Sequence, residues 1–108
     1  MIIPTLDEEA SIARAIRACR EAGPCEVIVV DGGSRDRTEE IARARADAVI
    51  AAPRGRATQM NAGAAVAGGE VLLFLHADTL LPVGSVTAVL GALQDPAVIG
   101  GAFRVRLA

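Results

Sequence analysis

The sequence predicts an α/β fold with a mostly parallel sheet and flanking helices. Short apolar runs alternate along the chain with longer stretches whose apolar residues have helical spacing. The run Val71–Leu75 is apolar throughout and follows Gly68-Gly69, which is typical of a strand buried on both faces. We take this strand, over residues 70–76, as the central strand of the sheet.

Composition indicates one small domain. The chain has 108 residues, of which 52% are hydrophobic and 22% are charged. A net charge of −2 and an aromatic content of 2% argue against a nucleic-acid partner, which needs a basic surface or a stacking platform. No apolar run approaches the roughly 20 residues of a membrane helix, and no signal-peptide pattern is visible. We therefore expect a cytoplasmic protein in which Cys19 and Cys25 are reduced thiols.

The first predicted unit is a strand over residues 1–4 followed by a helix. Thr5 and Glu8 have the spacing of a capping box, in which each side chain bonds the backbone N–H of the other residue. Gly23-Pro24 is expected to end the helix. One face of this helix carries apolar residues at helical spacing, namely Ile12, Ala15, Ile16 and Cys19.

The rest of the chain repeats the order of strand and helix. Because strands and helices alternate, the expected connections are right-handed crossovers between parallel strands. The predicted elements are strand Cys25–Asp31, a helix to about residue 46 capped by Asp36 with Glu39, strand Ala48–Ala52, helix 56–67, strand 70–76, helix 83–94 and an extended segment over 98–107.

Polar residues follow the predicted strands at the edge of the sheet where α/β proteins bind ligands. Asp31 ends one strand and Asp78 follows another, although each also has the simpler interpretation of a turn or cap residue. Gly55 precedes a helix whose free N–H groups favour an anion. Arg54 and Arg56 are therefore candidates for holding a diphosphate, whereas most surface arginines are simply solvated.

Four motifs occur in the order IIPTLDEE, VVDGGSRDRT, RGRATQMNAG and GEVLLFLHADT. Together they resemble the nucleotide-binding half of the family-2 glycosyltransferases, which have the Rossmann-like GT-A fold, and they are most similar to a bacterial subgroup. The resemblance covers nearly the whole chain. It implies transfer of a sugar from a nucleotide-diphosphate sugar, usually with inversion and with Mg²⁺ or Mn²⁺, to an acceptor that the sequence does not identify.

The resemblance also implies a nucleoside pocket. By the match of motifs, Pro4, Thr5 and Glu8 would line that pocket, and Asp31 would contact the base or the ribose. Gly32 stands where a second acid is common in the family, so the preferred base stays open.

The diphosphate and metal positions come from the same resemblance. Arg56 would approach the diphosphate, with Asn61 after it in the same helix, unless Asn61 only faces solvent. Asp78 matches the last acid of the family's Asp-x-Asp and would bridge the metal, and Mg²⁺ needs only one or two protein carboxylates. His76 stands in the place of the first acid. We expect it to have a supporting or structural role rather than to ligate the metal directly.

The acceptor site and the general base of this family lie in the second half of the domain. Asp95 is the only acid after Asp78 in the sequence, and its place beside Pro96 does not match that base. We therefore expect residues 1–108 to be a donor-binding half that is truncated at both ends. Such a chain is expected not to transfer sugar alone, and to associate with itself through an exposed sheet edge.

Other nucleotide-binding classes fit the motifs less well. A nicotinamide-dependent oxidoreductase needs Gly-x-Gly-x-x-Gly after its first strand, where this chain has PTLDEE. A haloacid-dehalogenase phosphatase needs Asp-x-Asp-x-Thr at the same early position. A non-catalytic nucleotide-binding or scaffold domain stays open as the alternative, because no general base is assigned.

Overall fold

The computed structural model describes residues 1–68 and 72–77, together with residues 84, 86, 88 and 91. Three parallel strands form a sheet in the order β1-β2-β3, and helices join consecutive strands. The elements are β1 (Ile2–Thr5), α1 (Ile12–Ala22), β2 (Ile28–Asp31), α2 (Thr38–Arg43), β3 (Ala48–Ala51) and α3 (Arg56–Val66). The predicted α/β fold with a parallel sheet is confirmed.

Several elements are shorter than predicted. β2 begins at Ile28 rather than at Cys25, and α2 ends at Arg43 rather than near residue 46. Asp47 accounts for the early end of α2, because its carboxylate accepts hydrogen bonds from the Val27 N–H at 2.7 Å and from Arg20 at 2.9 Å. These bonds hold the chain after α2 against the start of β2.

The predicted capping box is wrong. Thr5 belongs to β1, and the residue before α1 is Ser11, whose side chain makes no capping hydrogen bond. The Thr5 hydroxyl instead donates to Asp31 at 3.1 Å, across the sheet. A bond to a charged carboxylate in a buried place outweighs a local cap, because charge-assisted hydrogen bonds are roughly twice as strong as neutral ones.

Two apolar layers cover the sheet. The layer on the α1 side contains Ile3 and Val29 and the predicted face of α1, with Ile12, Ala15, Ile16 and Cys19 all buried as expected. Burial in this layer raises the pKa of the Cys19 thiol to about 11, so Cys19 is protonated at neutral pH. The layer on the α3 side contains Ile2, Ile28 and Val30, with alanines of α3 packed against them.

Residues 72–77 lie beside β1, on the side opposite β2. The Ile2 N–H donates to the Leu73 carbonyl at 2.8 Å, and the Leu75 N–H donates to the Ile2 carbonyl at 3.0 Å. This pairing is parallel, as predicted for this strand. The prediction that it is buried on both faces is wrong for the described residues, because Leu72 and Phe74 are 41% and 40% exposed.

The later predicted elements are only partly described. Within the predicted helix over 83–94, Val86, Ala88 and Gly91 are helical, and the Ala88 N–H donates to the Gly84 carbonyl at 3.0 Å. Asp78, Asp95 and the predicted extended segment over 98–107 lie outside the described residues. Within the described part of the chain, no helix has the length and apolar content needed to cross a bilayer.

Gly63 allows α3 to approach the sheet closely. A Cβ atom at this position would lie 2.5 Å from the Ile2 Cγ2 methyl and 3.0 Å from the Val30 Cγ2 methyl. Substituting Gly63→Val should therefore destabilise the protein by about 1–3 kcal/mol, because overpacking forces strands and helix apart. Urea unfolding measures this change. Gly68→Val is the matched control, since a Cβ at Gly68 would meet nothing within 4 Å, and equal losses in both variants would contradict the prediction.

Asp47 should make stability depend on acid pH. Its hydrogen bond from Arg20, followed by that from the Val27 N–H, lowers its pKa from the ordinary value of 3.8. A carboxyl whose pKa is lowered by folding contributes stability above its unfolded pKa and loses it as the pH falls through the folded pKa. Asp47→Asn should thus be less stable than the parent chain at neutral pH, and this difference should shrink below pH 3.8. Urea unfolding at both pH values, with the exposed Glu21→Gln as control, checks the trend, which a constant difference would contradict.

Candidate functional site

The parallel strands end in register at one edge of the sheet. Thr5 lies opposite Asp31, and Asp31 lies opposite Ala51. Thr5 and Asp31 are both only 2% exposed. The structure therefore brings these two predicted site residues together, and Pro4 is half-buried next to them.

Asp31 has both carboxylate oxygens engaged, by Thr5 of β1 and by the loop that follows β2. Oδ1 accepts hydrogen bonds from Thr5 Oγ1 at 3.1 Å and from Ser34 Oγ at 2.5 Å. Oδ2 accepts from the backbone N–H groups of Gly33 at 3.1 Å and Ser34 at 2.9 Å. These bonds to Gly33 and Ser34 are those of a turn aspartate, which was the simpler interpretation of Asp31. A direct contact of Asp31 with a base or ribose stays a prediction.

Reciprocal hydrogen bonds join the loop after β1 to the loop after β2. The Asp7 N–H donates to Ser34 Oγ at 2.9 Å, and the Arg35 N–H donates to Asp7 Oδ1 at 2.8 Å. Asp7 adopts a left-handed backbone with φ of 53°, which Asp tolerates better than most residues. The Glu8 N–H donates to Thr38 Oγ1 at 2.7 Å. The two loops therefore form one connected rim at the carboxyl edge.

Asp36 holds the start of α2 to the same rim. Its carboxylate accepts from the Thr38 N–H at 2.9 Å, from the Thr38 hydroxyl, and from the Glu9 N–H at 3.2 Å. The cap predicted at Asp36 with Glu39 is wrong, because the residue before α2 is Arg37, whose side chain makes no capping bond, and Asp36 bonds Thr38 from one residue earlier. The Thr38 hydroxyl is the main cause of a lowered pKa at Asp36. Asp36 consequently stays a carboxylate under mildly acidic conditions.

Glu8 accepts hydrogen bonds from the residues at the start of α1. Its carbonyl accepts from the N–H groups of Ser11 at 3.0 Å and Ile12 at 2.9 Å. Its carboxylate accepts a long bond from Ser11 Oγ at 3.4 Å. Glu8 is half-buried, and its carboxylate lies near the rim without a strong partner among the described residues.

Arg56 and His76 meet at the start of α3. A nitrogen of the Arg56 guanidinium, Nη2, lies 3.1 Å from His76 Nδ1. Because arginine can only donate, Nδ1 is the acceptor and the ring proton is on Nε2. Both side chains are exposed. This contact fits the expected supporting role of His76 better than metal ligation through Nδ1.

The contacts predicted for Asn61 and Asp78 with the diphosphate and the metal stay predictions. Asn61 is exposed on α3, in agreement with its solvent-facing interpretation, and Asp78 lies outside the described residues. No group of three or more His, Cys, Asp or Glu side chains suited to a metal occurs among residues 1–68 and 72–77. The metal position at Asp78 accordingly stays a prediction.

Gln59 is the site residue that the sequence analysis missed. It is 4% exposed, and its Nε2 donates to the Thr5 carbonyl at 2.9 Å and to the Val30 carbonyl at 2.8 Å. Its Oε1 accepts from the Gly55 N–H at 3.1 Å. The available signal was spacing: Gln59 precedes Gly63 by four residues and therefore lies on the same face of α3, toward the sheet.

The family profile and the similar known sequences both point to glycosyltransferases. The sequence profile of Glycosyl transferase family 2 matches residues 1–107. An undecaprenyl-phosphate 4-deoxy-4-formamido-L-arabinose transferase of Pseudomonas aeruginosa PAO1 is 35% identical over 95 residues, covering 76% of this chain and 28% of the relative. The protein of the same name from Pectobacterium carotovorum is 34% identical over 95 residues, covering 76% of this chain and 29% of the relative. The chain thus spans less than a third of these relatives.

Solved structures agree with the fold. Glucosyl-3-phosphoglycerate synthase from Mycobacterium tuberculosis, in complex with Mn²⁺, UDP and glucosyl-3-phosphoglycerate, superposes with a TM-score of 0.68 at 25% identity, covering 92% of this chain and 39% of that chain. S. aureus TarS 1–349 has a TM-score of 0.77 at 21% identity, covering 96% and 37%, and at that identity it supports the fold alone. These neighbours confirm the predicted GT-A fold. Since the family profile spans nearly the whole sequence and the relatives agree with it, this chain belongs to glycosyl transferase family 2.

Proposed function

We propose that this chain is the donor-binding part of a glycosyltransferase that takes a sugar from a nucleotide-diphosphate sugar, with inversion. The observation that carries the proposal is the convergence of three segments at one edge: the ends of β1 and β2, at Thr5 and Asp31, and the start of α3, at Gly55 and Arg56. Family membership supports it, as does the UDP bound in the similar glucosyl-3-phosphoglycerate synthase.

The edge offers different chemistry at its two ends. At one end, the rim around Thr5 and Asp31 carries the half-buried Glu8 carboxylate, which has only a long bond from Ser11 among the described residues and can accept from a nucleoside hydroxyl. At the other end, α3 begins with free N–H groups and the positive end of its dipole, and Arg56 is exposed beside them. A diphosphate placed there would have its growing negative charge stabilised as the bond to the sugar breaks.

His76 adds a neutral hydrogen-bond donor at this end of the edge. With Nδ1 accepting from Arg56, its Nε2–H is a donor that can reach an anionic oxygen. A divalent Mg²⁺ or Mn²⁺ ion held by Asp78 would neutralise part of the diphosphate charge. The Mn²⁺ in the complex of the similar synthase supports this assignment. A cytoplasmic location and self-association through a sheet edge remain predictions.

Binding of UDP should depend on the metal ion. We expect calorimetry to show that the parent chain binds UDP in the presence of Mn²⁺. Its affinity for UDP should fall at least about tenfold when EDTA is added, and the Asp78→Ala variant should show a similar loss. The physical reason is the loss of a cation between one carboxylate and the phosphate oxygens. Glu21→Gln, on the exposed face of α1, is the control and should bind as the parent chain does.

Two results would contradict this proposal in different ways. UDP affinity that is equal with and without Mn²⁺ would remove Asp78 from the metal role. Failure of the folded parent chain to bind UDP or any other common nucleoside diphosphate, with or without Mn²⁺, would favour a scaffold domain that binds no nucleotide. Folding of each protein is checked by circular dichroism before titration.

A further inference from the structure

The Gln59 amide is fixed more firmly than any other polar side chain of α3 in the described structure. Both of its N–H bonds are used, at the carbonyls of Thr5 and Val30, and its oxygen accepts from the Gly55 N–H. The side chain is 4% exposed, so no water competes for these bonds. Moving the amide would leave buried carbonyl groups without partners, which is costly.

The Gln59 amide, rather than the backbone conformation, is the reason that a glycine is needed at position 32. A Cβ atom on Gly32 would lie 2.9 Å from Gln59 Oε1 and 3.0 Å from both Cδ and Nε2. Gly33 is the reverse case, with φ of 98° and nothing within 4 Å of its Cβ position. Gly33 is therefore required by its left-handed backbone, whereas Gly32 is required by the space that Gln59 occupies.

The hydrogen bonds of Gln59 connect it to both ends of the candidate site. The Thr5 carbonyl accepts from the Gly32 N–H at 2.9 Å as well as from Gln59, and the Thr5 hydroxyl donates to Asp31. On the other side, the bond from Gly55 connects Gln59 to the residue immediately before Arg56. A shift of Gln59 would thus move the nucleoside end relative to the diphosphate end.

We propose that Gln59 is a positioning residue of the donor site and that Gly32 is its obligatory steric partner. Together they fix the distance between the Thr5–Asp31 pair and the start of α3, which a nucleoside diphosphate must span. Gln59 itself is buried, so we expect it to act through Thr5 and Gly55 rather than by contact with the donor. The inference rests on the proposed function, because it assigns these residues to that same site.

A double-mutant cycle tests the pair. The dissociation constant for UDP with Mn²⁺ is measured for the parent chain, Gln59→Ala, Gly32→Ala and the double variant, at a temperature well below the unfolding midpoint of each. We expect each single variant to bind about tenfold more weakly or worse, as small misplacements of binding groups do. The double variant should bind no more weakly than Gln59→Ala, because removing the amide makes room for the new methyl group.

Matched controls separate positioning from stability. Gly68→Ala adds the same methyl group where nothing lies within 4 Å, and Ala65→Ser changes an exposed position on the same helix. Both should keep the parent affinity. A merely structural role for Gln59 would lower the unfolding midpoint and leave the dissociation constant of the folded protein unchanged. Should Gln59→Ala fail to fold, Gly32→Ala alone, compared with Gly68→Ala, tests the contact from the opposite side.

The outcomes distinguish this inference from the function on which it rests. If the parent chain binds UDP and the single variants bind it equally well, the positioning role is wrong and the proposed function stands. Additive losses in the double variant would contradict the steric pairing. If the folded parent chain binds no nucleoside diphosphate, the proposed function fails, and the positioning role fails with it.

Discussion

The register of β1 against β2 is the constraint on which the rest of the structure depends. Side chains alternate between the faces of a strand, so a slip by one residue would move every apolar side chain to the opposite face. In the observed register Ile2 lies opposite Ile28 and Thr5 lies opposite Asp31. The same register that buries the isoleucines on the α3 side therefore also brings the Thr5 hydroxyl to the Asp31 carboxylate. Packing and site geometry follow from one alignment.

Carboxylates hold the site loops together mainly through backbone N–H groups. Asp7, Asp31 and Asp36 each accept such bonds from the loop after β2 or from the loop after β1. Bonds of this kind satisfy donors that the sheet ladder leaves free where its strands end. Among the described residues, these three carboxylates form no ion pair with the neighbouring Arg35 and Arg37. The rim is thereby shaped by short-range geometry more than by net charge.

Much of the fold follows from sequence patterns, and the failures have specific physical causes. The order of strands and helices was predictable because short apolar runs and helical spacing are local properties. The Thr5–Glu8 capping box failed because a long-range bond to Asp31 competes for the Thr5 hydroxyl, which no local pattern reveals. Gln59 was missed because α3 is rich in alanine, and its polar residues, Arg56, Thr58, Gln59 and Asn61, give little indication of which face is buried. Leu72 and Phe74 were expected to be covered because an apolar run cannot show how far a neighbouring helix extends.

The place of β1 between β2 and residues 72–77 has a consequence for synthesis on the ribosome. One edge of β1 can pair as soon as β2 has emerged, but its other edge bonds Leu73 and Leu75, which are made some 70 residues later. Until then that edge presents free N–H and carbonyl groups, which are a template for pairing with other chains. During synthesis β1 is therefore an edge strand for a time, although in the folded protein it has a partner on each side. Protection during that interval must come from outside the sheet, or from the speed of translation.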